Sequence, residues 1–433
     1  MRARTVLTGS FLGGVLFFLM LPSAGLGQQV VATGQNIREF QVAVAGTGDF
    51  MIVWSDLDGV VTPGSAGNGV FARLFDASGK PKGDPFFVPR FRAGDQIMPQ
   101  VAADERGNFL VVWQGGLGTN SGSVSGGDGD GAGVFAQRFD RNGARLGSVF
   151  RLSRSTAGDQ LTPNVAMASD GSFVAVWQDC TGPQRRCSEL HAARFTAGGE
   201  RKGDELEIPV LTATSYIGGS PVPNPTPHAV IEPGGFAIGW TEQEACYKFE
   251  FEKFPVILHF TNSGQPVGDR FRLDDGACED ATGWTLVALT ASRTGESAAF
   301  FNGQRNSFQL FAPGGDLMGA RKVIGRRDPC GTGVCELIGD AAMDSSGDFA
   351  VVWVEYLTVG TNPPTARNSL QAQFFNALGR PLGERIQVVS VPDELFRPAV
   401  AFAKDGGLIV VWGEGRGPHG GQPILRMRKV SRN

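Results

Sequence analysis

The chain is poor in the residues that carry most enzyme chemistry and nucleic-acid binding. Its 433 residues include only 4 His, 6 Cys and 3 Tyr, and 39 Lys and Arg are outnumbered by 43 Asp and Glu. A net charge of −4 leaves no basic footprint for nucleic acid. No paired-histidine metal motif, nucleophile elbow, phosphate-binding loop or dinucleotide fingerprint occurs in its required context. The sequence therefore points to an architecture more than to a reaction.

Long hydrophobic runs are also missing. The apolar stretch Phe11–Leu21 follows Arg2 and Arg4 and precedes small residues up to Gly27, and it is too short and glycine-broken to span a membrane comfortably. This order is typical of a signal peptide, so we expect residues 1–27 to be removed on export. The mature protein is then expected to be secreted or periplasmic, without a membrane span.

Glycine and phenylalanine, in contrast, are abundant. The 62 Gly are about twice the usual share, and each interior glycine costs a helix about 1 kcal/mol. A helical bundle is therefore excluded. An apolar fraction of 41% also excludes a disordered chain, because that much apolar surface can offset the entropy of ordering.

Two signatures recur along the chain. A glycine is followed six residues later by an aromatic residue at Gly48/Trp54, Gly107/Trp113, Gly171/Trp177, Gly234/Trp240, Gly295/Phe301, Gly347/Trp353 and Gly406/Trp412. A phenylalanine with glycines four and eight residues later then follows at Phe75/Gly79/Gly83, Phe139/Gly143/Gly147, Phe195/Gly199/Gly203, Phe260/Gly264/Gly268, Phe311/Gly315/Gly319 and Phe375/Gly379/Gly383. The run before each aromatic is continuously apolar, which is typical of a strand buried on both faces.

Each repeat reads as four short strands, a to d, in which tight glycine turns join a to b and c to d. We therefore predict an all-β fold, a seven-bladed β-propeller of four-stranded antiparallel blades. A small residue near the axis is expected in every strand a, at Ala43, Ala102, Ala166, Ala229, Thr290, Ala342 and Ala401. The last repeat lacks a strand d, so the N-terminal strand near residues 28–33 is expected to complete it and close the ring.

The expected organisation is a single domain spanning residues 28–433 after the signal peptide. The blades are predicted near residues 40–88, 99–152, 163–210, 226–273, 284–324, 337–390 and 397–430.

The repeats resemble a bacterial extracellular repeat of the form Gly-[Asp/Asn/Ser]-Phe-x-Val-Val-Trp, followed by Gly-Val-Phe-Ala-x-Arg-Phe-Asp-x-x-Gly-x-x-x-Gly. The nearly intact copy spans Gly107–Trp113 and Gly133–Gly147. The resemblance implies propeller blades in a secreted or cell-surface protein. It brings no catalytic residues with it.

The connections b–c and d–a share one face of a propeller, and we expect this loop face to carry any binding site. We predict long irregular loops there, at 55–69, 114–133, 241–254, 354–369, 209–226 and 325–340, and we place all six cysteines in such loops. Six cysteines allow fifteen pairings, and locality together with export favours three disulfides over a zinc site. The favoured pairs are Cys180–Cys187, Cys246–Cys278 and Cys330–Cys335.

Two sets of polar residues are candidates for a binding site. An acidic residue stands two positions after the strand-b aromatic at Asp56, Asp179, Glu242, Glu355 and Glu414. These carboxylates either ring one face and hold a cation or a basic partner, or each pairs with an arginine or backbone amide of its neighbour. A second set begins strand a at Gln41, Gln100, Asn164 and Asp340, and it either binds a ligand at the channel mouth or is simply solvated.

Metal chemistry has weak support. The sequences Asp56-x-Asp58-Gly59 and Asp128-x-Asp130-Gly131 look like calcium-loop fragments, but neither continues to the bidentate glutamate of a complete loop. We therefore predict no metal site and no cofactor, with calcium kept as an option. His191 and His259 in strand c and His228 in strand a are expected to be structural.

The favoured function is a binding scaffold for a protein, peptide or glycan that uses the disulfide-tied loop face. The partner is unidentified, and a monomer that binds no nucleic acid is expected. The alternative is a polysaccharide hydrolase or lyase that uses the loop-face carboxylates, which fold analogy alone supports only poorly. A purely structural surface module is a third option.

Overall fold

The computed structural model describes residues 27–34, 36–57, 67–91, 94–117, 128–181, 187, 189–210, 226–247, 250–273, 284–303, 305–326, 334–359, 365–392, 394–415 and 422–432. The predicted signal peptide, apart from Gly27, lies outside these residues. The described chain forms seven sheets, and each sheet has four antiparallel strands. The sheets stand in a ring as the blades of a β-propeller, so the predicted fold class is confirmed.

The strands follow one another in chain order. After β1 (Gln29–Thr33), blade 1 contains β2 (Phe40–Val44), β3 (Phe50–Leu57), β4 (Asn68–Phe75) and β5 (Phe86–Phe87). Blade 2 contains β6 (Asp95–Ala103), β7 (Phe109–Leu117), β8 (Gly133–Phe139) and β9 (Arg145–Arg151). Blade 3 contains β10 (Asp159–Met167), β11 (Phe173–Cys180), β12 (Glu189–Phe195) and β13 (Leu206–Pro209).

The second half of the ring is built in the same way. Blade 4 contains β14 (His228–Glu232), β15 (Gly235–Tyr247), β16 (Glu250–Thr261) and β17 (Pro266–Arg272). Blade 5 contains β18 (Thr285–Ala291), β19 (Ser297–Asn302), β20 (Arg305–Phe311) and β21 (Lys322–Arg326). Blade 6 contains β22 (Val334–Met343), β23 (Phe349–Val359), β24 (Thr365–Phe375) and β25 (Pro381–Val391), and blade 7 contains β26 (Leu395–Phe402), β27 (Leu408–Glu414) and β28 (Ile424–Val430).

The N-terminal strand closes the ring, as predicted. β1 pairs antiparallel with β28 and is the fourth strand of blade 7, next to β28, β27 and β26. Val31 on β1 is 1% exposed and packs in an apolar cluster shared by blades 7 and 1. Its carbonyl oxygen accepts a 2.9 Å hydrogen bond from Nη1 of Arg73 on β4.

The core lies between blades. The described buried apolar side chains form seven clusters, and each cluster is shared by two neighbouring blades around the ring. Strand b contributes on both of its faces, because every residue of β11 and of β27 is buried. Since apolar area removed from water is the main stabilising term, the ring is held together by these interblade contacts.

The recurring aromatics of strands b and c pair across the blade. Phe50 stacks on Phe75 with ring centroids 4.9 Å apart, and Phe173 stacks on Phe195 at 4.7 Å. The first glycine after the strand-c aromatic then supplies a positive φ in the c–d turn, as at Gly143 with φ of 81°. Glycine adopts this conformation without the steric cost of a side chain.

Several predicted loops are wrong in extent, because strands continue into them. The predicted loop 241–254 is mostly strand, since β15 and β16 continue as a hairpin to Tyr247 and from Glu250. The predicted loop 354–369 is shortened in the same way. β23 continues to Val359, β24 begins at Thr365, and these two residues pair with each other. The loop face therefore carries projecting hairpins in blades 4 and 6.

The small-residue position predicted at Ala229 is also wrong. Ala102 pairs with Leu110, three residues before the strand-b aromatic, whereas Ala229 pairs with Ile238, two residues before it. The equivalent residue of blade 4 is Val230, which pairs with Ala237. The a–b turn of this blade is one residue shorter than in the other blades, and a one-residue shift moves every side chain to the opposite face.

None of the described segments forms a helix long and apolar enough to cross a membrane.

Candidate functional site

The candidate site is the central channel, a concave space of about 680 Å³. Its volume lies within the range of about 300–1,000 Å³ that is common for ligand pockets. The seven strands a surround it, and these are β2, β6, β10, β14, β18, β22 and β26. Tyr356 near the end of β23, together with Glu394 and Leu395, extends its wall toward the loop face.

One position of strand a recurs around the channel, and we call its seven members the channel ring. Six of them line the channel, and the member in blade 7 is buried. Each member pairs with the residue that directly precedes the strand-b aromatic, as Gln100 does with Val112. In blade order the channel ring consists of Gln41, Gln100, Asn164, His228, Ala288, Asp340 and Ala399. All of the second predicted set, Gln41, Gln100, Asn164 and Asp340, thus lines the channel.

His228 is the member of the channel ring that sequence reasoning missed. Alignment of the blade-4 repeat on Ala229 places His228 one position out of register, and for this reason the sequence predicts only a structural role for it. The signal that reveals it is the short turn at Pro233 and Gly234. Counting back from Trp240 through the observed pairing puts His228 in the channel wall.

Two members of the channel ring bridge to the next blade. Oδ1 of Asn164 accepts a 3.1 Å hydrogen bond from the backbone N–H of Ala229, and Oδ2 of Asp340 accepts a 2.9 Å bond from the N–H of Val400. Oδ1 of Asp340 also accepts the N–H of Ala341 at 2.8 Å. These side chains therefore cover backbone donors along the inner edge of strand a.

The channel walls shift the titration of two ring members. Both side chains are half-buried and line the channel. Burial lowers the pKa of His228 to about 4, so its imidazole is neutral at pH 7. Burial raises the pKa of Asp340 to about 7, although its two backbone hydrogen bonds act in the opposite direction. Since desolvation disfavours the charged form of either group, neither ring member is a full charge at neutral pH.

A β-bulge precedes the channel ring in five blades. The register of strand a shifts between residues 97 and 100, 161 and 164, 286 and 288, 338 and 340, and 396 and 399. In two of these bulges a non-glycine residue has a positive φ, 53° at Met98 and 47° at Thr162. Bulges re-aim side chains and are common beside binding sites.

The position directly after the strand-b aromatic supports strand a of the next blade. Oε1 of Gln114 accepts the N–H of Thr162 at 3.1 Å, Oγ1 of Thr241 accepts that of Leu286 at 2.9 Å, and Oδ1 of Asn302 accepts that of Ile338 at 3.0 Å. Sequence reasoning did not single out these residues. Their signal is the recurrence of a polar residue immediately after an apolar strand that ends in an aromatic.

The predicted acidic set is arranged differently. None of the five carboxylates is among the residues that line the channel. In three blades the glutamate accepts a hydrogen bond from the indole N–H of its own strand, at 3.0 Å from Trp240 to Glu242, 3.3 Å from Trp353 to Glu355 and 2.8 Å from Trp412 to Glu414.

An arginine adds a charge to each of these pairs. Nη1 of Arg270 lies 3.0 Å from Glu242, Nη1 of Arg385 lies 3.8 Å from Glu355, and Nε of Arg426 lies 2.5 Å from Glu414. These three carboxylates therefore pair with an arginine, as the second alternative predicts, but the arginine belongs to the same blade and not to a neighbouring one.

The two aspartates of the acidic set also have local partners. Asp56 accepts the backbone N–H of Asn36 at 2.7 Å. Asp179 is 3% exposed, and burial raises its pKa although the neighbouring His191 lowers it. His191 in turn lies 2.9 Å from Glu205 through Nδ1.

One disulfide is present among the described residues, and it is the predicted pair Cys180–Cys187. The other two predicted pairs include Cys278 and Cys330, which lie outside the described residues. The placement of all six cysteines in loops is wrong, because Cys180 ends β11, and Cys246 and Cys335 fall within β15 and β22.

Only part of the two calcium-loop fragments lies within the described residues, because Asp58 and Gly59 fall outside them. The side chain of Asp128 is 1% exposed, and its Oδ2 lies 3.9 Å from Nη1 of Arg151. Burial raises the pKa of Asp128 even though Arg151 lowers it. Within the described ranges no three His, Cys, Asp or Glu residues are grouped so that they could hold a metal ion.

Comparison with known proteins finds similarity only among solved structures. No protein-family model matches the chain, and no curated protein matches it. Among solved structures, a protein of unknown function from Dyadobacter fermentans shares 12% identity at a TM-score of 0.48, covering 94% of this chain and 99% of that chain.

Two further solved structures are similar at the same level. The β-propeller domain of the Trilobed protease from Pyrococcus furiosus shares 8% identity at a TM-score of 0.47, covering 92% of this chain and 97% of that chain. The NanB sialidase of Streptococcus pneumoniae shares 10% identity at 0.46, covering 93% of this chain and 70% of that chain. Such similarities concern the fold, and function has to be argued from the site.

Proposed function

We propose that this protein is an exported, non-enzymatic binding scaffold whose ligand enters the central channel from the loop face. The observation that carries the proposal is the hydrogen-bonding capacity left open in the channel ring. The amide of Gln100 and the imidazole of His228 face the channel without a hydrogen-bond partner among the described residues. Polar groups in a concave site that the protein itself leaves unpaired are the groups that fix a ligand.

The alternative, a polysaccharide hydrolase or lyase, has weaker support. Glycoside hydrolysis needs two carboxyl groups on either side of one bond, about 5–10 Å apart in the same pocket. Glu242, Glu355 and Glu414 each bond a buried indole within their own blade and lie away from the channel. Replacing one of these glutamates with a neutral residue is therefore expected to weaken packing within its blade and not to remove a catalytic group.

Export is part of the proposal and is supported by the disulfide. Cys180–Cys187 suits an oxidising compartment, and the N-terminal segment has the order of a signal peptide. Expression of the full chain in a bacterial host, followed by intact mass analysis of the exported fraction, tests it. We expect a chain that begins at Gln28, and a cytoplasmic product that keeps Met1 would contradict export. The proposal requires no cofactor.

The binding role is tested by obstructing the channel mouth. Thr226 is exposed and lines the channel, whereas Asn142 is exposed in the c–d turn of blade 2, on the opposite face. We expect Thr226→Trp to abolish the binding profile of the protein on glycan and peptide arrays and Asn142→Trp to preserve it.

Both substitutions are in exposed positions, so their melting temperatures should match that of the parent protein. A profile that Thr226→Trp leaves intact would contradict the channel as the site. Release of a shortened product from any bound polymer, detected by chromatography, would favour the enzymatic alternative.

A further inference from the structure

We propose that the ligand of the channel is a neutral oligosaccharide. This inference rests on the proposed function, since it names the ligand class of the same site. It follows from three properties of the channel wall: a polar arc, an apolar arc opposite to it, and the absence of positive charge among the described lining residues.

The polar arc spans four consecutive blades and consists of Gln41, Gln100, Asn164 and His228. Asn164 uses Oδ1 to accept the N–H of Ala229, which leaves its Nδ2 available. Side-chain amides and a neutral imidazole each combine donor and acceptor sites. Sugar hydroxyl groups also both donate and accept hydrogen bonds, so this arc offers them complementary partners across four neighbouring blades.

The apolar arc occupies the remaining blades. Half-buried Val287 of blade 5, Tyr356 of blade 6 and Phe396 of blade 7 line the channel there, beside the carboxyl groups of Asp340 and Glu394. The phenol of Tyr356 is held by a 3.3 Å hydrogen bond to the carbonyl of Leu395. A sugar ring has one edge of hydroxyl groups and faces of C–H groups, and aromatic and aliphatic surface is where such faces pack.

The charge of the wall excludes acidic sugars. Glu39, Asp340 and Glu394 line the channel, and the described lining residues include no Lys or Arg. His228 does not supply the missing cation, because burial lowers its pKa to about 4. A uronate or sialate carboxylate would therefore be desolvated beside carboxyl groups without a counter-charge, which is unfavourable in a low-dielectric site.

The backbone of the channel wall argues against a peptide. Peptides that lack a side-chain motif commonly bind by adding a strand to an open sheet edge. Here Asn164 and Asp340 already cover the N–H groups of Ala229 and Val400 on the inner edges of β14 and β26. A peptide strand added at β14 or β26 would have to displace these two side chains.

The experiment uses the mature chain on an array of neutral oligosaccharides, acidic oligosaccharides and uncharged peptides, followed by calorimetry with the best binder. Gln100→Ala removes the unpartnered amide of the polar arc, and Gln387→Ala removes an exposed amide on β25 as a matched control. We expect a neutral oligosaccharide to bind best, Gln100→Ala to weaken it about tenfold and Gln387→Ala to leave it unchanged. Melting temperatures should be equal, since Gln100 has no hydrogen-bond partner to lose.

The outcomes separate this inference from the proposed function. Binding of uncharged peptides that is weakened by Gln100→Ala, without binding of any neutral oligosaccharide, would overturn the ligand class and keep the channel as the site. Acidic oligosaccharides that bind as tightly as neutral ones would also overturn it. Binding of a neutral oligosaccharide that Gln100→Ala leaves unchanged would overturn both, because the ligand would then lie elsewhere.

Discussion

The indole Nε1 of Trp412 donates a 2.8 Å hydrogen bond to Oε1 of Glu414, two residues further along β27. Both side chains are buried, at 0% and 8% exposure. An indole N–H that is buried without an acceptor destabilises the fold, so in blades 4, 6 and 7 the acidic residue satisfies the tryptophan of its own strand. In blade 3 the indole N–H of Trp177 has no such acceptor among the described residues. In blade 2, where the acidic position is Gly115, Oε1 of Gln96 accepts the indole N–H of Trp113 at 2.7 Å instead.

The first prediction is that Glu414 is a stability residue. Glu414→Ala leaves the Trp412 indole and the Arg426 guanidinium without their acceptor, and we expect it to lower the free energy of unfolding by about 2–4 kcal/mol. Glu414→Gln keeps an acceptor for the indole and should cost about half as much. Urea denaturation measures both, and the exposed Asp84→Ala is a control expected within about 0.5 kcal/mol. A fully stable Glu414→Ala would contradict the structural role.

The acidic residues show how far the sequence could predict the site. Repeat spacing defines strands and turns, because glycine conformation and apolar periodicity act locally. It does not define which neighbour a side chain bonds, since that depends on pairing register. The repeat pattern identifies Glu414 as one of a set of acidic residues, but it does not predict that the indole of Trp412 is its partner. His228 was misplaced because one short turn shifts the register of blade 4 by a single residue.

The second prediction concerns ring closure by β1. Val31 is 1% exposed in the interblade cluster, whereas its neighbour Val30 is 47% exposed. Val31→Asp places an unpaired carboxylate in that cluster and should lower the free energy of unfolding by about 3 kcal/mol or more. Val30→Asp should have almost no effect. Equal melting temperatures for the two variants would show that β1 does not close the ring in solution, and deletion of residues 28–33 should reproduce the loss.

The third prediction uses one repeat position in two conformations. The last glycine of the Phe/Gly/Gly signature has a φ of 75° at Gly147, with one atom, Nη2 of Arg138, 3.5 Å from an added Cβ. Gly83 at the same position of blade 1 has no positive φ and open space around it. Gly147→Ala should therefore cost about 1–2 kcal/mol through backbone strain alone.

Gly83→Ala is the matched control, and it should be neutral or slightly stabilising because alanine restricts the unfolded chain. Thermal unfolding of the two variants separates them. A loss of stability in Gly83→Ala as large as that in Gly147→Ala would mean that the position is sensitive to side-chain volume and not to φ.

The last prediction is a pH dependence that arises in blade 3. Burial tends to lower the pKa of His191, but the hydrogen bond to Glu205 and the charge of Asp179 outweigh it and raise the pKa above its usual value. The folded state then holds a proton that the unfolded state has released, so stability must fall as pH rises through that range. The contribution of His191 is complete below about pH 6.5 and is lost above it.

Replacement of the imidazole isolates this contribution. We expect the free energy of unfolding of the parent protein, measured with urea at half-unit steps between pH 6 and pH 8.5, to fall more steeply than that of His191→Gln. The pKa of Asp340, about 7, also lies above its value in the unfolded chain. Asp340 therefore makes the free energy of unfolding fall with rising pH as well, but only up to about pH 7. Asp340→Asn should therefore flatten the profile below pH 7 and leave the slope above it, whereas His191→Gln should flatten the slope above it. A His191→Gln profile parallel to that of the parent protein throughout would show that the imidazole is not held protonated by Glu205 and Asp179.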